Sequence, residues 1–151
     1  MAWGFPALMM KTKQHEDACV FLRMSKCSVH DAKPRACGLY PLGFGPDDET
    51  PGEWLQFMIP EKRHHFSGQR RLVQDWINET ISEEDRDFVA LGYIYTAELA
   101  WPLKRIDRKH EEQILRLMLL FQYAFFDTSE DFLPQYIRNM ENLKAQVKRL
   151  L

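Results

Sequence analysis

The run "ILRLMLLFQYAFF", residues 114–126, is the most apolar stretch of this chain. It predicts the last part of a helix from about Arg108 to Phe126, apolar on most sides beyond Ile114. Such a helix is the best candidate for the centre of the hydrophobic core. The run is too short to span a bilayer, and it contains Arg116 and Gln122.

The chain on both sides of this run predicts further helices. Residues 69–80 place apolar side chains at helical spacing, and "SEED", residues 82–85, has the pattern of a capping box that opens the next helix. That helix should stop or kink at Trp101-Pro102, because proline pushes the residue before it out of the helical region. Residues 129–150 form the last predicted helix.

The first part of the chain has a different composition. Six of the eight prolines lie at or before Pro60, and six of the seven glycines lie at or before Gly68. "CVFL" and "CSVH" are short runs that could pair as a small β-hairpin, and "WLQFMI", residues 54–59, is a third strand candidate. The prediction is a mainly α fold, in which a loop-rich, cysteine-containing N-terminal part packs on about four helices.

The change of composition near residue 68 is the one clear internal boundary. Residues 1–68 alone hold too little apolar material for a stable core, so residues 1–151 are predicted to form a single domain with a helical part at 69–151. The net charge of -2 argues against a general nucleic-acid or membrane-surface binder. "MAWGFPALMM" has neither a basic start nor a cleavage site, so a cytoplasmic location is expected.

All three cysteines lie within one short segment, with the spacing C-x7-C-x9-C. In a reducing compartment structural disulfides are not expected, and an odd number of thiols cannot all pair within one chain. Thiolates are good ligands for zinc and for iron–sulfur iron, and a tetrahedral Cys3His site needs one histidine. Free cysteines also often only pack as small apolar side chains. The candidate metal ligands are Cys19, Cys27, Cys37, His30, His64 and His65.

The segment "CVFLRMSKCSVHDAKPRACGLYPLGF", residues 19–44, resembles a family of zinc- or iron-chelating domains known by a C-x-x-C-x-x-C-C signature, the YkgJ-like proteins. In that family a phrase C-x-F-L, C-x-I/V-H/Y, K/R-P-x-x-C-R-x-Y/F-P recurs. The matching residues are Cys19, Phe21-Leu22, Cys27, Val29-His30, Lys33-Pro34, Cys37 and Tyr40-Pro41. The resemblance implies a metal centre. If a metal is present, Lys33 and Arg35 would offset the charge of three thiolates; otherwise they are solvated loop charges.

Two parts of the family pattern are missing from this sequence. The C-x-x-C-x-x-C-C run itself is absent, and Arg63, His64 or His65 stands near the position of a later family cysteine. The chain is then a truncated form, a divergent member that binds one zinc through three cysteines and a histidine, or a member that kept the fold and lost the metal.

Two functions follow as expectations. The first is a metal-binding protein of uncharacterised role, holding zinc or, alternatively, an iron–sulfur cluster. The second is a metal-free helical module that meets a protein partner or a second copy of itself. No phosphate-binding loop, nucleophile elbow or H-E-x-x-H motif is present. The sequence does not decide whether the protein is an enzyme.

Overall fold

The structure, a computed structural model, describes residues 5–7, 11–13, 18–40, 42–44, 55–57, 70 and 72–151. The chain divides into two compact units. The N-terminal unit comprises Met9–Asp85, and the helical unit comprises Met1–Leu8 together with Arg86–Leu151. That residues 1–151 form a single domain stays a prediction.

The strands of the N-terminal unit are short. In the described residues they form two antiparallel pairs, β1 (Leu22–Arg23) with β2 (Lys26–Cys27) and β3 (Leu42–Phe44) with β4 (Leu55–Phe57). The first pair confirms the predicted hairpin. The third strand candidate, residues 54–59, forms a strand over Leu55–Phe57. Its partner is Leu42–Phe44, for which the sequence predicted no strand.

The described residues of the N-terminal unit also form two α-helices, α1 (Arg35–Leu39) and α2 (Val73–Thr80). Its small core consists of Leu39, Leu42, Ile77 and Ile81. Gly38 lets α1 approach α2 closely, because a Cβ at this position would lie 3.3 Å from the Thr80 Cγ2 atom. The helix predicted over residues 69–80 is confirmed as α2, although it begins a few residues later than the apolar pattern indicates.

Three longer helices follow, α3 (Glu83–Arg105), α4 (Glu111–Leu119) and α5 (Phe132–Arg149). The mainly α fold class is therefore confirmed. The first turn of α3 belongs to the N-terminal unit and the rest of the helix to the helical unit. Among the described residues, no helix has both the length and the apolar character that crossing a membrane requires.

The core of the helical unit is built from one side of each of these helices. Ile114 and Met118 of α4 are 0% and 1% exposed, which confirms this helix as a central core element. Burial of such side chains supplies most of the stability of a helical domain. The other buried apolar residues are Tyr95, Leu99, Leu103 and Ile106 from α3 and its end, and Tyr136, Met140, Leu143 and Val147 from α5.

Helix α3 does not stop at Trp101-Pro102, but continues through Pro102 to Arg105. A proline inside a helix removes one backbone hydrogen bond and crowds the preceding turn. The residues after it explain why the helix continues: Leu103 in the last turn is 1% exposed and Ile106, directly after the helix, is 7% exposed, so this end of α3 carries core side chains.

The predicted helix that ends near Phe126 is helical to Ala124, but it is not α-helical throughout. Beyond α4 the chain forms a π-helical turn over Leu120–Ala124. Two buried polar side chains of α5 hold the chain after this turn. Asn139 donates a 2.6 Å hydrogen bond to the Phe125 carbonyl oxygen, and the Gln135 Oε1 atom accepts one of 2.7 Å from the Asp127 N–H.

Candidate metal centre

Cys19 lies where two backbone segments meet. It faces Thr12 in an isolated antiparallel bridge, and its carbonyl oxygen accepts a 3.0 Å hydrogen bond from the Leu22 N–H. Its side chain is partly buried and its thiol is free. The backbone at this position is therefore held by hydrogen bonds on both sides of the residue.

Cys27 is the last residue of β2 and stands opposite Leu22 in the hairpin. The turn before it contains two non-glycine residues with positive φ angles, 45° at Met24 and 61° at Ser25. Such a turn matches the twist of a two-residue hairpin. Cys27 is exposed, and its thiol is free.

Cys37 is the third residue of α1, and Pro34 precedes the first residue of that helix. The Cys37 N–H donates a 2.9 Å hydrogen bond to the Pro34 carbonyl oxygen. Pro34 is the N-cap residue and has an extended backbone, with φ −56° and ψ 147°. The Cys37 thiol is exposed and free.

The three thiols therefore belong to one unit, on three different local structures: a bridge, a hairpin and a short helix. Among the described residues, no group of three or more histidine, cysteine, aspartate or glutamate side chains is arranged to hold a metal ion. The residues as placed do not form the predicted Cys3His site. His64 and His65 lie outside the described residues.

His30 opens a 3₁₀ turn, His30–Ala32, directly after the hairpin. It lines an open cleft of about 380 Å³ with Lys33 and Arg35 on one side and Trp76 and Glu79 of α2 on the other. The cleft carries charges of both signs. His30 and α2 therefore line the same cleft, which the sequence spacing did not indicate.

Arg35 has a role that the sequence did not reveal. Its guanidinium forms an ion pair with Asp85. Asp85 is 8% exposed and also accepts hydrogen bonds of 2.9 and 2.7 Å from the N–H and the hydroxyl of Ser82. Arg35 thus joins α1 to the first turn of α3. That it would offset thiolate charge if a metal is bound stays a prediction. The capping pattern in "SEED" was the only signal for this cluster.

The fold and these residues define a mainly α-helical protein with three free thiols in its N-terminal unit. No protein-family model matches the chain, and no curated protein or solved structure is detectably similar to it. The resemblance to the chelating family therefore rests on the residues of Cys19–Phe44 alone.

Proposed function

We propose that this protein binds one metal ion through Cys19, Cys27, Cys37 and one histidine, with zinc as the expected metal and an iron–sulfur cluster as the alternative. The observation that carries the proposal is the state of the three thiols. All are free, all lie in the N-terminal unit, and two of them are exposed. Free thiolates are strong ligands for zinc, and exposed ones are accessible to it.

Metal binding would require the ligands to move towards one another, because the described thiols and His30 are not arranged to hold a metal ion. The elements that carry Cys27 and Cys37 are small: a hairpin with two residues in each strand and a helix of five residues. Zinc-finger peptides bind structural zinc with about 10–16 kcal/mol at neutral pH. A whole domain is stable by only about 5–15 kcal/mol. Metal binding can therefore drive a local rearrangement of this size.

The fourth ligand is one of three histidines. His30 is the described candidate, three residues after Cys27 and exposed. His64 and His65 are the others. We assign no catalytic residue, since metal binding by these side chains requires none.

The test is to purify the protein without chelator under anaerobic conditions and to measure zinc, iron and sulfide per chain together with the visible spectrum. About one colourless zinc per chain is expected for a Cys3His site. Iron with sulfide and a brown colour would instead establish the cluster. The variants Cys19→Ser, Cys27→Ser and Cys37→Ser should each lower both the metal content and the melting temperature.

The matched control is Ser28→Ala, which changes an exposed residue directly after Cys27 and leaves every candidate ligand in place. It should keep the metal. The variants His30→Ala, His64→Ala and His65→Ala then identify the fourth ligand. A folded, metal-free protein whose melting temperature is indifferent to chelators would contradict metal binding and support the metal-free helical interaction module.

A further inference from the structure

Phe5, Pro6 and Ala7, which we call the strap, belong to the helical unit, although the whole N-terminal unit separates them from the rest of it along the chain. The helical unit comprises Met1–Leu8 and Arg86–Leu151, and the residues between them form the other unit. The strap residues are neither helix nor strand. They therefore meet the helical unit in the way that a separate peptide segment would.

Two contacts hold the strap on the helical unit. Phe5 is partly buried and packs against the hydrophobic core of this unit. The Tyr123 hydroxyl donates a 2.7 Å hydrogen bond to the Pro6 carbonyl oxygen. Within the described residues no further hydrogen bond joins the strap to the unit, and Ala7 is exposed. A segment held by so few contacts opens at a low cost in free energy.

Both contacts are of a kind that recognises peptides containing proline. Aromatic surfaces commonly bind such segments, because proline is already restricted in φ and loses little conformational freedom on binding. Pro6 has no N–H, so its carbonyl oxygen is the one backbone group of this residue that can form a hydrogen bond. Tyr123 bonds to that group, and the ring of the preceding Phe5 makes the apolar contact. The site thus reads an aromatic residue followed by proline.

Tyr123 lies in the π-helical turn Leu120–Ala124. Such turns are rare and frequently occur at functional sites. Tyr123 is 42% exposed despite its hydrogen bond, so its hydroxyl is within reach of another peptide. In the part of the chain that the structure describes, the Gln122 Oε1 atom of the same turn is buried and accepts no hydrogen bond. Since buried polar groups are usually paired, stability alone does not explain the shape of this turn.

From these contacts we infer that the strap closes a peptide-binding site on the helical unit, and that the partner is a flexible segment of another protein in which an aromatic residue precedes proline. The strap is the internal occupant of this site, and the partner displaces it. Because the strap is tethered, its effective concentration at the site is high, and a partner needs either excess or additional contacts to open it. The inference does not depend on metal binding by the N-terminal unit.

The test is an NMR titration of the isotope-labelled full chain with a synthetic peptide of residues 1–8, MAWGFPAL. In the variant Phe5→Ser the strap loses its apolar contact, so the site is open to the peptide. The Kd of the peptide should be lower for this variant than for the wild type by about tenfold or more, because the wild-type strap competes. The signals of Leu120–Ala124 should shift. The same peptide with serine in place of Phe5 should not shift them.

Two variants in the Phe5→Ser background test the hydrogen bond. Tyr123→Phe removes only the hydroxyl and should weaken peptide binding by about three- to tenfold, the usual effect of one hydrogen bond. Tyr93→Phe is the matched control, since it removes the hydroxyl of another exposed tyrosine and should leave the Kd unchanged. Equal affinity of the wild type and Phe5→Ser, unshifted signals in the π-helical turn, or a Kd indifferent to Tyr123→Phe overturns the inference.

Circular dichroism checks that Phe5→Ser is folded. If it is not, Phe5→Leu gives the same comparison, with a smaller difference in Kd of about threefold, because an apolar side chain remains. Sedimentation velocity of the wild type tests the other occupant, a second copy of this chain. A concentration-dependent dimer that is lost in Phe5→Ser would assign the site to the strap of that second copy and would overturn the assignment to another protein.

Discussion

Met24 and Ser25 occupy a backbone conformation that their side chains disfavour. Their φ angles of 45° and 61° lie in the left-handed region, which costs roughly 1–2 kcal/mol per non-glycine residue. Asn-Gly is the preferred pair in such a hairpin turn. Met24→Asn combined with Ser25→Gly should therefore raise the free energy of unfolding of the N-terminal unit by about 1–2 kcal/mol in urea titrations.

The control for this turn is Lys26→Gly, which places a glycine one residue later, within β2. There φ is not positive, so the added backbone freedom should lower the stability by about 0.5–1 kcal/mol. If the double variant of the turn and Lys26→Gly both lower the free energy of unfolding, the positive φ angles are not a source of strain in the folded protein.

Because of Tyr136, the free energy of unfolding of the helical unit should vary with pH in the alkaline range. Burial, and to a smaller extent the neighbouring Tyr95 and Tyr123, together raise its pKa to about 12. In the unfolded chain a tyrosine titrates near pH 10. Because the folded pKa is the higher one, the stabilisation is complete below pH 10 and is lost as the pH rises through about 12.

The free energy of unfolding should therefore fall between pH 10 and 12, and the fall should be smaller in Tyr136→Phe. Tyr93→Phe is the control, since Tyr93 is 48% exposed. Chemical unfolding followed by circular dichroism at several pH values measures the effect. An equal fall in the wild type and in Tyr136→Phe would show that another group causes it.

At the scale of the element, the start of α3 depends on the pair Ser82 and Asp85. The Asp85 N–H donates a 3.2 Å hydrogen bond to the Ser82 hydroxyl, while the Asp85 carboxylate accepts from the Ser82 N–H. Ser82→Ala should lower the free energy of unfolding by about 1 kcal/mol, the usual effect of losing an N-cap. Asp85→Ala should cost more, about 1–3 kcal/mol, because it also removes the partner of Arg35.

Glu84→Gln is the matched control in the same turn, because Glu84 is exposed. Its effect on the melting temperature should be small beside that of Ser82→Ala. If Ser82→Ala has no larger effect than Glu84→Gln, the cap does not stabilise the helix.

At the scale of the whole molecule, each unit has its own hydrophobic core. Leu143 is 0% exposed in the helical unit, and Ile77 is 6% exposed in the N-terminal unit. Truncating either to alanine should cost about 2–5 kcal/mol, because each leaves a cavity. If residues 1–151 form a single domain, as the sequence predicts, both variants should lower the melting temperature of the same calorimetric transition.

Two separate transitions, each lowered by only one of the variants, would instead show two independently folding domains. Leu115→Ala serves as the control for the helical unit, because Leu115 precedes Met118 on α4 and is 45% exposed. Its effect should be far smaller than that of Leu143→Ala, since little buried area is lost.

The positions of the helices followed from the sequence because their signals are local. Apolar spacing around Ile114 and Trp76, and the Ser82–Asp85 pattern, involve residues within about one or two turns of each other. The hairpin at Leu22–Cys27 is local in the same sense. Whether the predicted metal ligands lie together could not be read from such local signals, because it depends on how separate segments of the chain are placed. The three described thiols lie on three such segments and do not form a group that could hold a metal ion.

The sequence by itself thus determined the mainly α fold class, the approximate positions of the helices and the clustering of all thiols in one short segment. The tertiary structure decided what depends on residues far apart in the chain. The pairing of Leu42–Phe44 with Leu55–Phe57 and the ion pair between Arg35 and Asp85 are such features. So is the passage of α3 through Pro102, where burial of Leu103 outweighs the local preference of proline. Local propensities differ by only about 1–3 kcal/mol, and the packing of a few buried side chains overrides them.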